Sequence, residues 1–177
     1  MSASMPQTAR SPWIWGPLSR LGVTVGVLTL IVDQLCKVWM IYGYQITQKG
    51  KVTLTPFFDL VMVWNEGISY GLFPQGSPLG QGILIGIALA ATLALLVWLA
   101  RTTSTLAAVS IGLIAGGALG NAIDRALYGA VADFFSLHAF GFYWYIFNLA
   151  DAAIVAGVAG VLYETLVGGH KKVSNPS

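Results

Sequence analysis

The feature that most constrains this chain is a set of four apolar stretches, each close to the roughly 20 residues that an α-helix needs to cross a bilayer. They cover residues 21–40, 82–100, 106–123 and 149–167. Charged residues make up only 9% of the sequence, against about 25% in soluble domains. The sequence therefore predicts a mainly α-helical membrane protein with four transmembrane helices, folded as a single domain over residues 1–177.

Lysines and arginines are more frequent on one side of these spans, and the positive-inside rule assigns that side to the cytoplasm. The residues on this side are Arg10, Arg20, Arg101, Lys171 and Lys172, and those on the other side are Lys49, Lys51 and Arg125. We therefore expect both termini in the cytoplasm and the connections 42–81 and 124–148 outside. In this topology the end of the third span and the start of the fourth lie at the same membrane face.

The first outer connection contains two segments that are rich in β-branched and aromatic residues, 51–55 and 57–64, separated by Pro56. They predict two short strands, which form a small extracytoplasmic β-sheet at the membrane surface. The segment that follows, 65–71, contains two glycines and predicts a turn with unusual backbone angles or a close approach to another group.

The second outer connection is rich in aromatic residues: Phe134, Phe135, Phe140, Phe142, Tyr143, Trp144, Tyr145 and Phe147. One interpretation is an aromatic belt at the membrane interface. The other is a flap or surface helix that covers an active site, and both interpretations can hold together. Because the two outer connections share one face, we expect them to pack on each other.

Three aspartates, Asp124, Asp133 and Asp151, lie close together in this outer region of a chain with only 7 acidic residues. Carboxylates next to hydrocarbon are costly, so such a cluster predicts a functional site. Asn121 precedes Asp124 by three positions, and Asn148 precedes Asp151 in the same way, which places each pair on one helix face. Taken alone, this repeated pattern favours Asp124 and Asp151 as the working pair.

Structural roles are the alternatives for these residues. Asn148 can cap the fourth helix, with Asp151 at the third helical position as in a capping box. Asp124 can belong to a structural polar cluster, in which Arg125 either neutralises Asp124 or contacts lipid phosphate. Asp133 can be a solvated loop acid, although all its neighbours in sequence are apolar.

Asp33 and Lys37 are spaced i, i+4 on the first predicted span. We favour an internal salt bridge, which would allow both charges to lie within the membrane.

Other chemistries have little support in the sequence. There is no HExxH or CxxC spacing for a metal, no histidine beside a Gly-x-Ser-x-Gly turn and no phosphate-binding loop of Walker type, so we expect no metal and no cofactor. A pair of carboxylates remains, and such a pair can share a proton and activate water for peptide hydrolysis. The rival functions are a small transporter or proton channel, which predicts acids spread through the membrane depth, and an assembly protein that docks through its outer sheet.

The motifs together resemble one known family, the bacterial lipoprotein signal peptidases (signal peptidase II). The segments that carry the resemblance are Asp33…Lys37, Asn65-x-Gly67-x-x-x-Gly71, Gly116–Arg125, Val131–Phe134 and Phe147–Asp151. They occur in order across nearly all of the chain between the first and fourth spans. Each motif is weak alone, but their combination is highly specific.

The resemblance implies a four-helix aspartic protease of the bacterial cytoplasmic (inner) membrane. Such an enzyme removes the signal peptide from prolipoproteins by cleaving before a cysteine that carries diacylglycerol. Its catalytic pair lies on the extracytoplasmic side, with a small sheet that cradles the substrate and, before the fourth helix, a mobile segment that corresponds here to the aromatic flap. The expected partners are the lipid-modified prolipoprotein and membrane lipid but no nucleic acid, and the expected state is a monomer.

Carried over by motif, the catalytic pair falls on Asp133 and Asp151, which overrules the pair favoured by the Asn-x-x-Asp pattern. The residues implied to bind substrate or support the site are Asn65, Gly67, Asn121, Asp124, Arg125, Asn148, Asp33 and Lys37. We expect Asp151 to be the ionised base, because the first turn of a helix favours an anion, and Asp133 to hold the shared proton among its apolar neighbours.

Overall fold

The computed structural model describes residues 14–67 and 77–173, with side chains described up to residue 167. Four helices in this part of the chain are long and apolar enough to cross a membrane, which confirms the predicted four spans. They are Ser19–Gly43, Pro78–Leu99, Thr105–Tyr128 and Leu149–Val167. Predicted features outside the described residues are Arg10, the segment Ile68–Gly71 of the turn motif, and the side chains of Lys171 and Lys172.

The first span consists of helix α1, Ser19–Val38, and a π-helical continuation, Trp39–Gly43. A short helix α2, Ile46–Lys49, follows it. Four buried apolar side chains join this end of the span to the sheet described below: Met40, Ile46, Leu60 and Phe134. The sheet is therefore attached to the end of α1 by a continuous apolar core.

The other three long helices begin or end at residues with local capping roles. They are α3, Pro78–Leu99, α4, Thr105–Tyr128, and α5, Leu149–Val173. At the start of α3 the Ser77 hydroxyl accepts a hydrogen bond from the backbone N–H of Gly80 at 3.1 Å, as at many helix N-termini. α4 ends at Gly129, whose φ of 73° is left-handed and favours glycine.

Helix α4 lies at the centre of the bundle, where it packs against α1, α3 and α5. A methyl group added at Gly112 would collide with the carbonyl oxygen of Gly22, and one added at Gly116 would collide with that of Gly26. Small residues let transmembrane backbones approach this closely, which gains dispersion energy where lipid removes the hydrophobic driving force between helices. The contact fixes α1 against α4 along the length that leads to the polar site.

The two connections on the sheet side form one four-stranded antiparallel sheet in the order β1-β2-β3-β4. Its strands are β1, Val52–Thr55, β2, Phe58–Asn65, β3, Val131–Ala139, and β4, Phe142–Phe147. The first two strands confirm the prediction for 51–55 and 57–64. In the central pairing Val63 lies opposite Asp133. Asn65 is two residues beyond Val63, so it shares a face with Asp133 as a diagonal neighbour.

The aromatic connection before α5 is the β3–β4 hairpin, and the predicted alternative of a surface helix is wrong. Its aromatic run favours strands, and the turn residues Phe140 and Gly141 have φ of 51° and 80°, a combination typical of two-residue hairpin turns. The rings divide into two groups. Phe134 is fully buried in the core, whereas the exposed rings near the turn include Phe140, Phe142, Tyr143 and Trp144.

The third span differs most from its predicted bounds, because α4 continues past Ile123 to Tyr128. Asp124 and Arg125 therefore lie in a helix and not in a loop. Hydropathy falls at these charged residues, but the helix continues because the Asp124 carboxylate is fully buried and paired inside the protein.

Candidate active site

Four elements bring together the acidic residues that the sequence singles out. Asp133 lies on β3, Asp151 in the first turn of α5, Asp124 on α4 and Asp33 on α1. Asp33, Asp124 and Asp133 are at most 2% exposed, while Asp151 is half-buried. Of the group, Asp151 is thus the one most open to water.

Asn148 connects the two aspartates of the motif-derived pair. Its side-chain N–H donates to Asp133 Oδ1 at 2.6 Å. Its side-chain oxygen accepts from the Asp151 backbone N–H at 3.0 Å, and its own backbone N–H donates to Asp151 Oδ2 at 3.3 Å. The reciprocal bonds form the predicted capping box at the start of α5. The structural role and the contact with the acidic pair are therefore properties of the same residue.

Two further asparagines each donate a hydrogen bond to the other oxygen of one of these carboxylates. Asn65 on β2 donates to Asp133 Oδ2 at 3.1 Å, and Asn121 on α4 donates to Asp151 Oδ1 at 2.8 Å. The Asn121 contact differs from the one its spacing suggests, because the bond goes to the aspartate of the next helix and not to Asp124. Asp133 accepts from two amide groups, and each of them restricts the orientation of its carboxyl plane.

The surroundings of Asp133 favour its protonated form. Burial and the nearby Asp151 carboxylate raise the pKa of Asp133 from 3.8 to about 7. The hydrogen bonds from Asn65 and Asn148 and the charge of Lys37 act in the opposite direction but are weaker. A carboxyl group with this pKa can carry a proton at neutral pH and can exchange it readily.

Behind this pair lies a buried ionic group centred on Lys37. Its Nζ is 2.8 Å from Asp33 Oδ2 and 2.7 Å from Asp124 Oδ2, which confirms the predicted Asp33–Lys37 salt bridge. The cation that neutralises Asp124 is therefore Lys37, and the predicted partner Arg125 has other contacts. Gln34 completes the group by donating to Asp124 Oδ1 at 2.9 Å. The sequence showed Gln34 only as a polar interruption of the first span, since its partner lies on another helix.

Arg125 and Gly67 meet at the edge of the site. The guanidinium of Arg125 donates to the Gly67 carbonyl at 2.8 Å and, more weakly, to the Asn121 carbonyl at 3.4 Å. Gly67 is also held by Asn65, whose side-chain oxygen accepts from its backbone N–H at 3.0 Å. Gly67 is thus fixed to α4 beside the acidic pair, as the shared motifs suggest.

Metal chemistry gains no support from these groups. Among the described residues, no cluster of three or more histidines, cysteines or acids has the geometry of a metal site. The carboxylates of Asp33 and Asp124 are instead neutralised by the Lys37 ammonium. The arrangement fits proton transfer between two carboxyl groups and a water molecule.

Comparison with known proteins assigns the family. A family model described as signal peptidase II matches residues 25–167. The chain belongs to the signal peptidase II family. Lipoprotein signal peptidases from Rhodopseudomonas palustris and Methylocella silvestris are 52% and 53% identical to it over 153 and 146 residues. These alignments cover 84% and 82% of this chain, and 93% and 85% of the respective relatives.

Two solved structures share the fold of this chain. One, described as a bacterial membrane enzyme, has a TM-score of 0.77 and 26% identity, with 89% of this chain and 94% of that chain covered. A second structure of the same description has a TM-score of 0.67 and 28% identity, with coverages of 83% and 93%. The chain is accordingly a multi-pass aspartic protease of the bacterial inner membrane that removes signal peptides from prolipoproteins.

Proposed function

We propose that Asp133 and Asp151 are the catalytic pair and that they hydrolyse the peptide bond before a cysteine that already carries diacylglycerol. The observation that carries this proposal is the set of bonds at Asn148, whose side-chain N–H donates to the Asp133 carboxylate while its backbone N–H donates to the Asp151 carboxylate. It supports a pair that acts as a unit, because one buried residue holds both carboxylates. The raised pKa of Asp133 supports the same conclusion, since two close carboxylates cannot both ionise cheaply.

In the proposed reaction the ionised Asp151 takes a proton from water, and the resulting hydroxide attacks the scissile carbonyl carbon. Protonated Asp133 donates a hydrogen bond to the carbonyl oxygen, which accumulates negative charge in the tetrahedral intermediate. The C–N bond then breaks, and the leaving amine receives a proton from the pair. Asp151 suits the role of the base because the first turn of a helix favours an anion. The proton is shared, so the assignment describes the dominant arrangement of a coupled pair.

The proposed site faces the extracytoplasmic side, with both termini in the cytoplasm and the acyl chains of the substrate against apolar helix faces in the bilayer. The distribution of lysines and arginines supports this orientation. Cysteine labelling tests it, since Cys36 is the single cysteine and can be replaced by Ser first. A membrane-impermeant maleimide added to intact cells should label Lys49→Cys, in the outer connection, but not Thr103→Cys, between α3 and α4. Labelling of Thr103→Cys but not of Lys49→Cys would show the opposite orientation.

The proposed pair is tested by cleavage of a lipidated prolipoprotein with purified enzyme. Asp133→Asn and Asp151→Asn should each lower kcat by about 1,000-fold or more, because each removes a group that transfers a proton. EDTA should leave the wild-type rate unchanged. Cleavage that persists in either variant would refute the pair.

The rival functions are tested with the same preparations. A proton channel predicts proton flux through vesicles that contain the protein without substrate, and an assembly protein predicts binding without cleavage. The clustering of the acids at one end of the bundle argues against a pathway through the membrane.

A monomer is expected to suffice for activity, and this expectation is tested by the mass of the active species in detergent.

A further inference from the structure

The residue before each aspartate of the proposed pair is held through its backbone by a buried carboxylate. On β3, the backbone N–H of Ala132 donates to Asp124 Oδ2 at 3.1 Å. Ala132 is itself fully buried and directly precedes Asp133. The position of the Asp133 Cα therefore depends on a side chain of α4.

The same arrangement occurs at the start of α5. The backbone N–H of Ala150 donates to Asp33 Oδ1 at 2.9 Å, and Ala150 is fully buried and directly precedes Asp151. This N–H is one of the free donors in the first turn of a helix, so a carboxylate is a favourable partner for it. The position of Asp151 therefore depends on a side chain of α1.

Lys37 joins these two carboxylates to each other. Its Nζ lies 2.8 Å from Asp33 Oδ2, 2.7 Å from Asp124 Oδ2 and 3.1 Å from Asn121 Oδ1. The ammonium group has three donors, so all three are used. Asn121 in turn donates to Asp151 Oδ1, so the third contact also leads to the acidic pair.

We propose that Lys37 is a positioning residue of the catalytic pair. It sets the distance between Asp133 and Asp151 by holding the two carboxylates that accept hydrogen bonds from the backbone amides just before these aspartates. This proposal rests on the proposed function, because it concerns the geometry of that pair. Lys37 does not reach the reacting atoms. It acts through Asp33 and Asp124.

An ion-pair role alone would not require this geometry. A salt bridge between Asp33 and Lys37 within α1 would already let both charges lie in the membrane. Here a second carboxylate, that of Asp124 on α4, also pairs with the Lys37 ammonium. Both carboxylates, in addition, accept a hydrogen bond from a backbone amide next to the pair. Without the ammonium, two buried carboxylates would face each other uncompensated, and they would separate or bind protons. Either response shifts the amides that they hold.

Lys37 also acts on the pair through its charge. The groups that face its ammonium are Asp33 from α1, and Asp124 and Asn121 from α4, while the charge of Asp133 on β3 is close enough to be affected. The ammonium lowers the pKa of Asp133, although burial and Asp151 raise it further, to about 7. Removal of the ammonium should therefore move the pKa of Asp133 upward.

The test is Lys37→Met in the full-length enzyme, assayed with a lipidated prolipoprotein over a range of pH. We expect kcat per folded molecule to fall on the order of 100-fold, since small misplacements of catalytic groups have effects of this size, with KM changed by less than about threefold. The alkaline limb of the kcat/KM profile should move up by about half a pH unit or more, because Asp133 must be protonated to act.

Two further variants separate positioning from stability. The triple variant Lys37→Met/Asp33→Asn/Asp124→Asn keeps side-chain oxygens that can accept from both backbone amides, but it has no charge at these three positions. Its kcat should therefore be about tenfold higher than that of Lys37→Met, and the alkaline limb of its kcat/KM profile should return toward that of the wild type. Asp124→Asn alone leaves the Lys37 ammonium with one carboxylate and weakens its hold on the Ala132 amide, so this variant should also lower kcat. If Lys37→Met does not fold, a wild-type kcat in Asp124→Asn would overturn the positioning role.

Lys51→Met is the matched control, because Lys51 also pairs with a buried carboxylate, that of Asp59 at 2.7 Å, but on the sheet and away from the pair. This variant should retain the wild-type kcat and the wild-type position of the alkaline limb of the kcat/KM profile. A Lys37→Met enzyme with wild-type kcat, or one whose loss matches the loss of folded protein with an unchanged limb, would overturn the positioning role. If Asp133→Asn or Asp151→Asn still cleaves, the proposed pair itself fails.

Discussion

Replacing Asp133 with Asn should make the protein more stable at alkaline pH while it removes activity. The wild-type carboxyl is 2% exposed, and its pKa of about 7 in the folded protein compares with 3.8 for the free side chain. Burial is the main cause of the difference, and the neighbouring Asp151 is the second. The folded state thus binds the proton more tightly than the unfolded state does.

The size of the effect follows from the difference between these pKa values. About 3 units at 1.36 kcal/mol each correspond to about 4 kcal/mol, which is the penalty for ionising Asp133 in the folded protein. Because the folded pKa is raised, this penalty is absent below about pH 4, grows as the pH rises to about 7 and is complete above it. The variant cannot ionise at this position, so its stability relative to the wild type should rise over the same interval.

A second effect of the substitution does not depend on pH. Asn65 and Asn148 both donate to the carboxyl group of Asp133, and the new amide can accept only one of these two bonds. The unpaired donor costs about 1–3 kcal/mol at every pH. The variant should therefore be less stable than the wild type near pH 4 and more stable near pH 8, with the two curves crossing between.

Thermal unfolding of the detergent-solubilised protein, followed by tryptophan fluorescence across this pH range, measures the difference. Asp59→Asn is the control of opposite sign, because Lys51 lowers the pKa of Asp59. The ionised Asp59 stabilises the fold above about pH 4, the unfolded pKa of an aspartate, and this contribution is lost as the pH falls through the lower, folded value. That variant should thus be less stable than the wild type at neutral pH. A difference between Asp133→Asn and wild type that stays constant from pH 4 to 8 would refute the reasoning.

Substitutions at three other positions have specific expected outcomes. Asn148→Ser should keep the helix cap but lose the amide bond to Asp133, so kcat should fall by about 100-fold with the Tm nearly unchanged, whereas Asn148→Ala should lower both. Gly120→Ala would place a methyl carbon 2.5 Å from Asp33 Oδ2, and it should reduce kcat and Tm together, as measured by cleavage and thermal unfolding. Gly129→Ala has open space but a φ of 73°, so it should destabilise the fold by about 1 kcal/mol in thermal unfolding without affecting kcat.

The spans and the first two strands could be predicted from the sequence because their signals are local. Twenty apolar residues or an alternation of β-branched and aromatic side chains determine an element whatever it packs against. The Asp33–Lys37 pair was predictable for the same reason, since a spacing of four places both on one helix face. The capping box of Asn148 and Asp151 was also local, and the structure confirms it.

Contacts between elements were not accessible in this way. The spacing of Asn121 suggested a bond toward Asp124, but the asparagine contacts Asp151 on another helix, and the ammonium that neutralises Asp124 comes from α1. Hydropathy predicts the end of α4 too early, because it does not show that a charge is paired inside the protein. The hairpin before α5 was ambiguous because aromatic rings suit an interfacial helix and a strand almost equally.

The attachment of the acidic pair to α5 has a consequence for biosynthesis. Asp133 lies on the hairpin that leads to the last span, and Asp151 lies in the first turn of that span, where Asn148 joins them. During translation the pair is thus assembled only after every other span has left the ribosome. A partly inserted chain has Lys37 and its carboxylates but no Asp151, so the proposed catalytic pair predicts that it cannot hydrolyse other proteins at the translocation site.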